Sequence, residues 1–274
     1  MQDFPQSFLI LLQQVSVGGL FAIAAAPFHE LDRAFFKSTA GVLFVLGFLG
    51  FWGKFEIYHS AAGPDLGAAL ELGLEVCYLA AFALYLVSLW GERVYFRARS
   101  FSCSIFLGFA SLVLGSAHFQ RAPMWSVESL LYPLSFFLSA LLLGAVTVGM
   151  LIGHWYLIDT GQSMSPLIRV FKFFFASLVV QTIFMALLPA LIFLLGDPQT
   201  LDSFTRLWSE HRVLLVARVL VAQVAPLGLS FLIWRTLRIP HTMAATGLFY
   251  VALLGVFVGE ILGRQILALT TLPF

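Results

Sequence analysis

The sequence predicts an all-α integral membrane protein: a single domain, residues 1–274, in which eight transmembrane helices form a bundle. Hydrophobic residues make up 60% of the chain and charged residues only 11%. A soluble domain has about half apolar and roughly a quarter charged residues. Eight apolar stretches are long enough to cross a bilayer, for which a helix needs about 20 residues. The segments between them are too short to form a further domain.

The apolar stretches follow one another along the whole chain. The first four cover 7–28, 39–58, 67–90 and 101–119, and HELDRAFFK, HSAAGPDLG and GERVYFRARS separate them. The segment QRAPMWSVES leads to the last four, which cover 130–158, 167–195, 213–234 and 244–270 and are connected by DTGQSMSP, GDPQTLDSFTRLWSEH and RTLRIPHT. Met1 to Pro5 carry no positive side chain, unlike a cleavable signal peptide, so the first stretch is expected to be a retained span.

Lysine and arginine in the short loops predict the orientation, because cytoplasmic loops are enriched in both. Nine basic residues follow the odd-numbered spans: Arg33, Lys37, Arg93, Arg97, Arg99, Arg169, Lys172, Arg235 and Arg238. Three lie on the opposite side: Arg121, Arg206 and Arg212. This bias predicts a protein of the bacterial cytoplasmic (inner) membrane with both termini on the outer, periplasmic side.

Charge and cysteine content exclude several classes of protein. A formal net charge of +1 gives no reason to expect a nucleic-acid partner. The two cysteines, Cys77 and Cys103, lie in apolar stretches with no CxxC spacing and no Cys/His cluster. The chain is therefore not expected to hold an iron–sulfur cluster or another structural metal by itself.

Ionisable residues inside the spans are expected mostly in the outer half of the bilayer: Lys54, Glu56, His59, Glu71, Glu75, His118, Arg218, Glu260 and Arg264. Such residues are costly in a bilayer unless they face a cavity or a partner. One interpretation is structural, with ion pairs such as Lys54–Glu56 and Glu260–Arg264 and with helix-end charges that reach the headgroups. The other is a polar cavity that spans two, three, seven and eight enclose and that opens to the outer leaflet.

A one-sided cavity of this kind suits a quinone. Its ring needs apolar walls, and each of its two oxygens needs a hydrogen-bond partner, one of which exchanges a proton. His59 is the best candidate for this partner, because histidine changes its charge near neutral pH. A nearby carboxylate would accept the second proton.

Two alternatives stay open from the residues alone. A haem b would need two facing histidines at matching depth, and His59 and His118 both lie near the outer face. A small-molecule transporter would be expected to show an inverted repeat or broken helices at the midplane, for which Pro189 and Pro226 are the only hints.

Several motifs occur in order along the chain: LLQQVSVGGLF at 11–21, HSAAGP at 59–64, APMWS at 122–126 followed by PLSFFLS at 133–139, and GEILGR at 259–264. They resemble, respectively, the Gly-Gly-containing first helix, the His-x-Gly-x-Pro loop, the Pro-x-Trp-x-Ser entry to the fifth helix and the Gly-Glu-Leu-x-Gly-Arg pattern of the last helix in one family. That family is the eight-helix membrane-anchor subunit of dimethyl-sulfoxide-reductase-type molybdenum enzymes. GEILGR is the most specific of these matches.

The resemblance implies a subunit that needs partners for turnover. Its members carry no redox metal, oxidise menaquinol near the outer face and pass electrons to an iron–sulfur (ferredoxin-like) subunit and then to a molybdopterin-type catalytic subunit. His59 and Glu75 are the quinol-site residues that the resemblance implies.

The predicted quinol pocket also contains residues chosen on other grounds. Glu260 and Arg264 carry the motif of the last helix, and Arg212 or Arg218 falls near an arginine at the start of the family's seventh helix. Lys54, Glu56, Arg218 and His118 enter the predicted pocket through their expected depth in the membrane.

Overall fold

The computed structural model describes residues 3–26, 28–60, 66–120, 122–123, 125–159, 161, 163–239 and 241–274. The helices are α1 (Asp3–Ala25), α2 (Arg33–Ser60), α3 (Leu66–Ser88), α4 (Val94–Ala117), α5 (Glu128–Ile158), α6 (Ser165–Leu195), α7 (Pro198–Glu210), α8 (Arg212–Val219), α9 (Ala225–Arg238) and α10 (Thr242–Thr270). A π-helical turn, Leu220–Val224, joins α8 to α9. The described part of the chain contains no strand.

Eight helices are long and apolar enough to cross a membrane, which confirms the predicted all-α, multi-pass fold. Seven of them are single helices, and the seventh span runs from Arg212 to Arg238 through α8, the π-helical turn and α9. Because successive spans alternate in direction, one end of the bundle holds the start of α1 and the end of α10, and we call it the terminal end. The opposite end carries the nine basic residues of the sequence prediction, and we call it the basic end.

The spans pack as two groups of four. Helices α1 to α4 form one half, and α5, α6, the seventh span and α10 form the other. Contacts between α1 and α5 are the most extensive in the molecule, so these two helices join the halves at the centre. The core accordingly includes side chains of both helices, such as Val17, Leu20, Leu142 and Val146, all of which are buried.

Glycines explain how closely α1 and α5 approach each other. A Cβ atom at Gly18 would collide with the backbone of Ala140, and one at Gly144 would collide with the backbone of Gly18. Small residues of this kind allow membrane helices to pack backbone against backbone, where dispersion forces replace the missing hydrophobic driving force.

Pro226 accounts for the π-helical turn in the seventh span. Proline has no N–H to donate to the carbonyl four residues back, and its ring clashes with that carbonyl. The wider turn removes the conflict, and the amide of Ala225 donates instead to the carbonyl of Leu220, five residues back. One consequence is local: Gln223 is buried and accepts a hydrogen bond from Thr182 at 2.6 Å.

The segment 196–211, for which the sequence predicts only a connection between two spans, contains the helix α7. Asp197 caps its start by accepting a hydrogen bond from the amide of Gln199 at 3.1 Å, and Pro198 occupies the first turn. Leu207 on its apolar face is fully buried, and the ring of Phe204 stacks on that of Phe274. The helix therefore lies against the terminal end of the second half.

Candidate functional site

Two groups of polar side chains are buried among the apolar helices, one in each half of the molecule. The Lys54 cluster comprises Gln13, Lys54, Tyr58, Glu71, Glu75, Ser111 and His118. The Arg218 cluster comprises Ser139, Gln181, Arg218, Glu260 and Arg264. In both clusters every span of the half contributes at least one side chain. Both clusters lie in the part of the bundle nearer the terminal end, where the sequence places its buried charges.

Lys54 has an acceptor for each of its three ammonium protons. Its Nζ atom lies 2.8 Å from Oε1 of Gln13 and 2.8 Å from Oε1 of Glu71, and it also donates to Glu75. All four side chains are buried. A lysine that is satisfied in this way can remain charged away from water, since a buried charge needs both an opposite charge and hydrogen bonds.

Gln13 on α1 fixes the position of this lysine. Its amide nitrogen donates to the hydroxyl of Ser111 at 2.7 Å, which leaves the amide oxygen free to accept from Lys54. Ser111 donates in turn to the carbonyl of Gly108 at 2.8 Å. The chain of donors therefore runs from α2 through α1 to α4.

The Lys54 cluster contains one ammonium group and two carboxyl groups, Glu71 and Glu75. With His118 neutral, its formal charge is −1 unless one group holds a further proton. The Oε2 atom of Glu75 is buried and has no hydrogen-bond partner among the described residues. The cluster thus has an acceptor that a proton or a ligand hydroxyl can occupy.

His118 connects this network to the surface. Its Nε2 atom lies 2.8 Å from Oε2 of Glu71, and 30% of its side chain is exposed. The hydroxyl of Tyr58 donates to the same carboxylate oxygen at 3.0 Å. Gly115, one turn before His118, makes room for Glu71, because a Cβ atom there would lie 2.7 Å from Oε1 of the carboxylate. A proton can therefore pass between the solvent-facing imidazole and a fully buried carboxylate.

In the Arg218 cluster, Glu260 is the central acceptor. Its Oε1 atom accepts from Nη2 of Arg218 at 2.7 Å and from Nε2 of Gln181 at 2.8 Å. Its Oε2 atom lies 3.5 Å from Nη2 of Arg264, one turn further along α10. Arg264 also stacks over the ring of Phe136, 4.7 Å from its centroid.

This second cluster carries a formal charge of +1 and is fully enclosed. Arg218 and Glu260 have no exposed side-chain surface, and Arg264 has 3%. Among the described residues, Nε and Nη1 of Arg218 and Nε of Arg264 have no hydrogen-bond partner. The cluster joins α5, α6, α8 and α10 and has no exposed histidine or carboxylate comparable to His118. This is the geometry of a cluster of ion pairs that holds helices together.

The predicted site residues fall into three sets. Lys54, Glu75 and His118 meet in one cluster, and Arg218, Glu260 and Arg264 meet in the other. Glu56 and His59 are exposed on α2 and lie outside both. The ring of His59 stacks on that of Phe55 with centroids 5.7 Å apart.

Two details of the prediction are wrong. Lys54 does not pair with Glu56, because the packing of α2 on α3 brings Glu71 and Glu75 to its Nζ atom. Spans two, three, seven and eight also do not line one shared charged cavity. Their charges pair within each half, and the halves join where α1 meets α5, with Gln14 donating to the carbonyl of Phe136 at 2.8 Å.

Sequence reasoning missed the uncharged members of both clusters. Gln13 and Gln181 are amide side chains in the middle of apolar helices, and Tyr58 and Ser111 are less conspicuous. The cost of burying a polar group applies to amides as it does to charges. Scanning the spans for Gln as well as for charged residues would have found the first two.

No group of three or more His, Cys, Asp or Glu side chains in the described part of the chain could hold a metal ion. A haem held by His59 and His118 would require both rings to change partners, because one contacts Glu71 and the other stacks on Phe55.

Two cavities lie away from these clusters, at the basic end. One, of about 450 Å³, lies between α6 and α9 and is lined by aromatic rings and by Lys172 and Arg238. The other, of about 360 Å³, lies between the basic ends of α1 to α4 and includes Arg97.

Comparison of the chain with protein-family models, with curated proteins and with solved structures gives no match. The resemblance to the anchor subunits of molybdenum enzymes therefore stays a prediction from the sequence motifs.

Proposed function

We propose that the chain is the quinol-binding, electron-transferring membrane subunit of a respiratory oxidoreductase in the bacterial cytoplasmic membrane. The observation that carries the proposal is the contact between His118 and Glu71, which links a buried carboxylate–ammonium network to a partly exposed imidazole. The terminal end is the periplasmic side in this proposal, as the distribution of lysine and arginine predicts.

Quinol oxidation requires the removal of two protons along with two electrons. The Lys54 cluster offers the groups for the first task. Glu75 has a buried carboxylate oxygen without a hydrogen-bond partner among the described residues, and Glu71 leads to the partly exposed imidazole of His118, a type of group that transfers protons in general acid–base catalysis. Lys54 holds both carboxylates in place and lowers the cost of their negative charge.

His59 keeps the role that the motif HSAAGP implies, at the mouth of the quinol site. Its exposed position on α2, beyond Phe55, suits a ligand that enters from the membrane surface. In this arrangement His59 contacts the bound menaquinol, whereas His118 serves the buried network.

The electrons need an acceptor outside this chain. We assign this role to an iron–sulfur (ferredoxin-like) subunit docked at the terminal end, which passes the electrons to a molybdopterin-type catalytic subunit. The support for these partners is the family resemblance of the sequence motifs, and GEILGR in α10 is the strongest of them.

Ligand binding tests the proposal directly. The purified chain in lipid nanodiscs is titrated with a short-chain menaquinol analogue, and binding is followed by calorimetry. Glu75→Gln keeps the side-chain shape but removes the charge, and we expect affinity to fall about tenfold or more, the effect of losing one hydrogen bond to a charged group. Glu92→Gln, the same change at an exposed position of the basic end, is the control. Failure of the unaltered chain to bind the analogue would overturn the proposal.

Small-molecule transport is the second candidate, and the π-helical turn next to Pro226 favours it. Such turns are frequent at functional sites, and interrupted spans are typical of transporters. Uptake of a solute by the isolated chain in liposomes would support this candidate. A Soret band in the absorption spectrum would instead indicate the haem b alternative.

A further inference from the structure

Arg97 is a buried cation without a counter-charge among the described residues. It lies in the first turn of α4 at the basic end, and 8% of its surface is exposed. Its guanidinium stacks over the ring of Phe28, 4.2 Å from the centroid. Its Nη1 nitrogen is buried and has no hydrogen-bond partner among the described residues. Lys54 and Arg218, in contrast, each contact a glutamate.

None of the ion pairs among the described residues includes Arg97, and two carboxylates of the basic end contact other groups. Glu30 lies 3.2 Å from Nη2 of Arg169, and Asp32 accepts a hydrogen bond from the amide of Ala34 at 3.0 Å. The described residues therefore provide no anion for Arg97. A buried guanidinium costs several kcal/mol in an effective medium of low dielectric constant unless an opposite charge compensates it.

A cavity of about 360 Å³ lies beside this guanidinium. Its walls are mostly apolar and come from all four helices of the first half: Ile23, Phe28, Phe36, Tyr85, Val94 and Phe101. The hydroxyl of Tyr85, whose ring packs on Phe101, makes no hydrogen bond to another described residue. Two donors, one of them charged, thus border a space with apolar walls.

This combination selects an amphiphile with an anionic oxygen group. A neutral ligand such as a quinone would use the donors but leave the charge of Arg97 uncompensated. A phosphate diester would satisfy both donors and neutralise the charge. The cavity is large enough for a phosphate and glycerol group but not for acyl chains. At its rim Val94 is 60% exposed, so the cavity opens at the protein surface, where the chains of a lipid can leave it.

We propose that the cavity between the basic ends of α1 to α4 binds the phosphate of an anionic phospholipid through Arg97 and Tyr85. Basic pockets between membrane helices on the cytoplasmic side are typical sites for such headgroups. This site is separate from the Lys54 cluster and does not depend on quinol binding. Its role is to hold the basic ends of the four helices of the first half together.

Native mass spectrometry of the purified full chain tests this site. After delipidation the chain is titrated with dioleoyl phosphatidylglycerol, with dioleoyl phosphatidylcholine or with inorganic phosphate alone. We expect phosphatidylglycerol to bind at least about tenfold more tightly than phosphatidylcholine, since only the first carries a net charge, and inorganic phosphate to bind weakly because it lacks the apolar contacts. Equal affinity for the two lipids would overturn the proposal, and so would tight binding of free phosphate.

Variants locate the lipid on the chain. Arg97→Gln and Tyr85→Phe should each lower the affinity for phosphatidylglycerol, the first by about tenfold or more. Arg99→Gln removes an equal charge from an exposed position two residues further along α4, so it should bind like the unaltered chain. Arg97→Lys, which keeps the charge, covers the case in which Arg97→Gln fails to fold. If Arg99→Gln weakened binding as much as Arg97→Gln, or if Tyr85→Phe and Arg97→Lys both bound normally, the assignment would be wrong.

Discussion

Glu71 and His118 are joined by a 2.8 Å contact between a fully buried carboxylate and an imidazole that reaches the surface. Glu71 lies on α3 and His118 directly follows the end of α4, both near the terminal end. At this contact the Lys54 cluster meets solvent.

Replacing Lys54 should destabilise the protein strongly. Lys54→Met leaves Glu71 and Glu75 next to each other in an apolar interior, and breaking a buried ion pair in this way costs about 3–5 kcal/mol. Chemical unfolding in mixed micelles measures the loss. Adding Glu71→Gln and Glu75→Gln to the same chain should recover part of it, and Lys172→Met at an exposed position is the control. If Lys54→Met were as stable as Lys172→Met, this would contradict the conclusion that the ion pairs of Lys54 stabilise the protein.

His118→Gln should slow quinol-dependent electron transfer by roughly 10²–10⁴-fold, the usual contribution of a general acid–base group. Binding of the menaquinol analogue should change little, because His118 serves the proton path and not the ligand. His59→Gln should do the opposite and weaken binding first. Stopped-flow reduction of the iron–sulfur partner, combined with titration of the analogue, separates the two effects. Identical effects of the two variants would contradict the division of roles.

Gly144→Ala should disrupt the packing of α1 on α5. The new Cβ atom would collide with the backbone of Gly18, and a backbone cannot move aside as a side chain does. We expect a loss of about 1–3 kcal/mol or more, seen as a lower midpoint of thermal unfolding and less monodisperse protein on size exclusion. Gly41→Ala on α2, where no atom lies within 4 Å of the new Cβ, is the matched control.

In the Arg218 cluster, Glu260→Gln should be the most damaging of three single changes, because it leaves two buried guanidinium groups without a carboxylate. Arg218→Met should follow, since Arg218 lies 2.7 Å from Glu260 whereas Arg264 lies at 3.5 Å. Arg264→Met should cost least. The free energies of unfolding of the three variants test this order, and a larger loss for Arg264→Met than for Arg218→Met would reverse the assignment of the principal partner.

The eight spans and the depth of their charges follow from local features of the sequence. A stretch of about 20 apolar residues specifies a spanning helix wherever it occurs, and its direction alternates along the chain. Lys54, Glu75 and Glu260 could therefore be assigned to the part of the bundle nearer the terminal end from their distance to the nearest loop.

The choice of partners could not be predicted in the same way. Lys54 has Glu56 two residues away and Glu75 on the next helix. Only the rotation of α2 against α3 decides which of them it meets. On a helix, residues two apart do not face each other, so helix geometry disfavours the Lys54–Glu56 pair. Helix α7 was not predicted because it is shorter than a membrane span. Asp197 and Pro198 nevertheless form a recognisable start signal of a helix.

The close contact between α1 and α5 has a consequence for biogenesis. Helix α1 carries Gln13 and Gln14, and it receives its largest packing surface only when α5 has been inserted, more than a hundred residues later. Contacts this distant in sequence form late, because the intervening chain must be ordered first. Until then α1 presents the amide of Gln14, whose acceptor is the carbonyl of Phe136 on α5, to lipid or to the insertion machinery. The first half of the protein therefore completes its assembly only once the second half has begun.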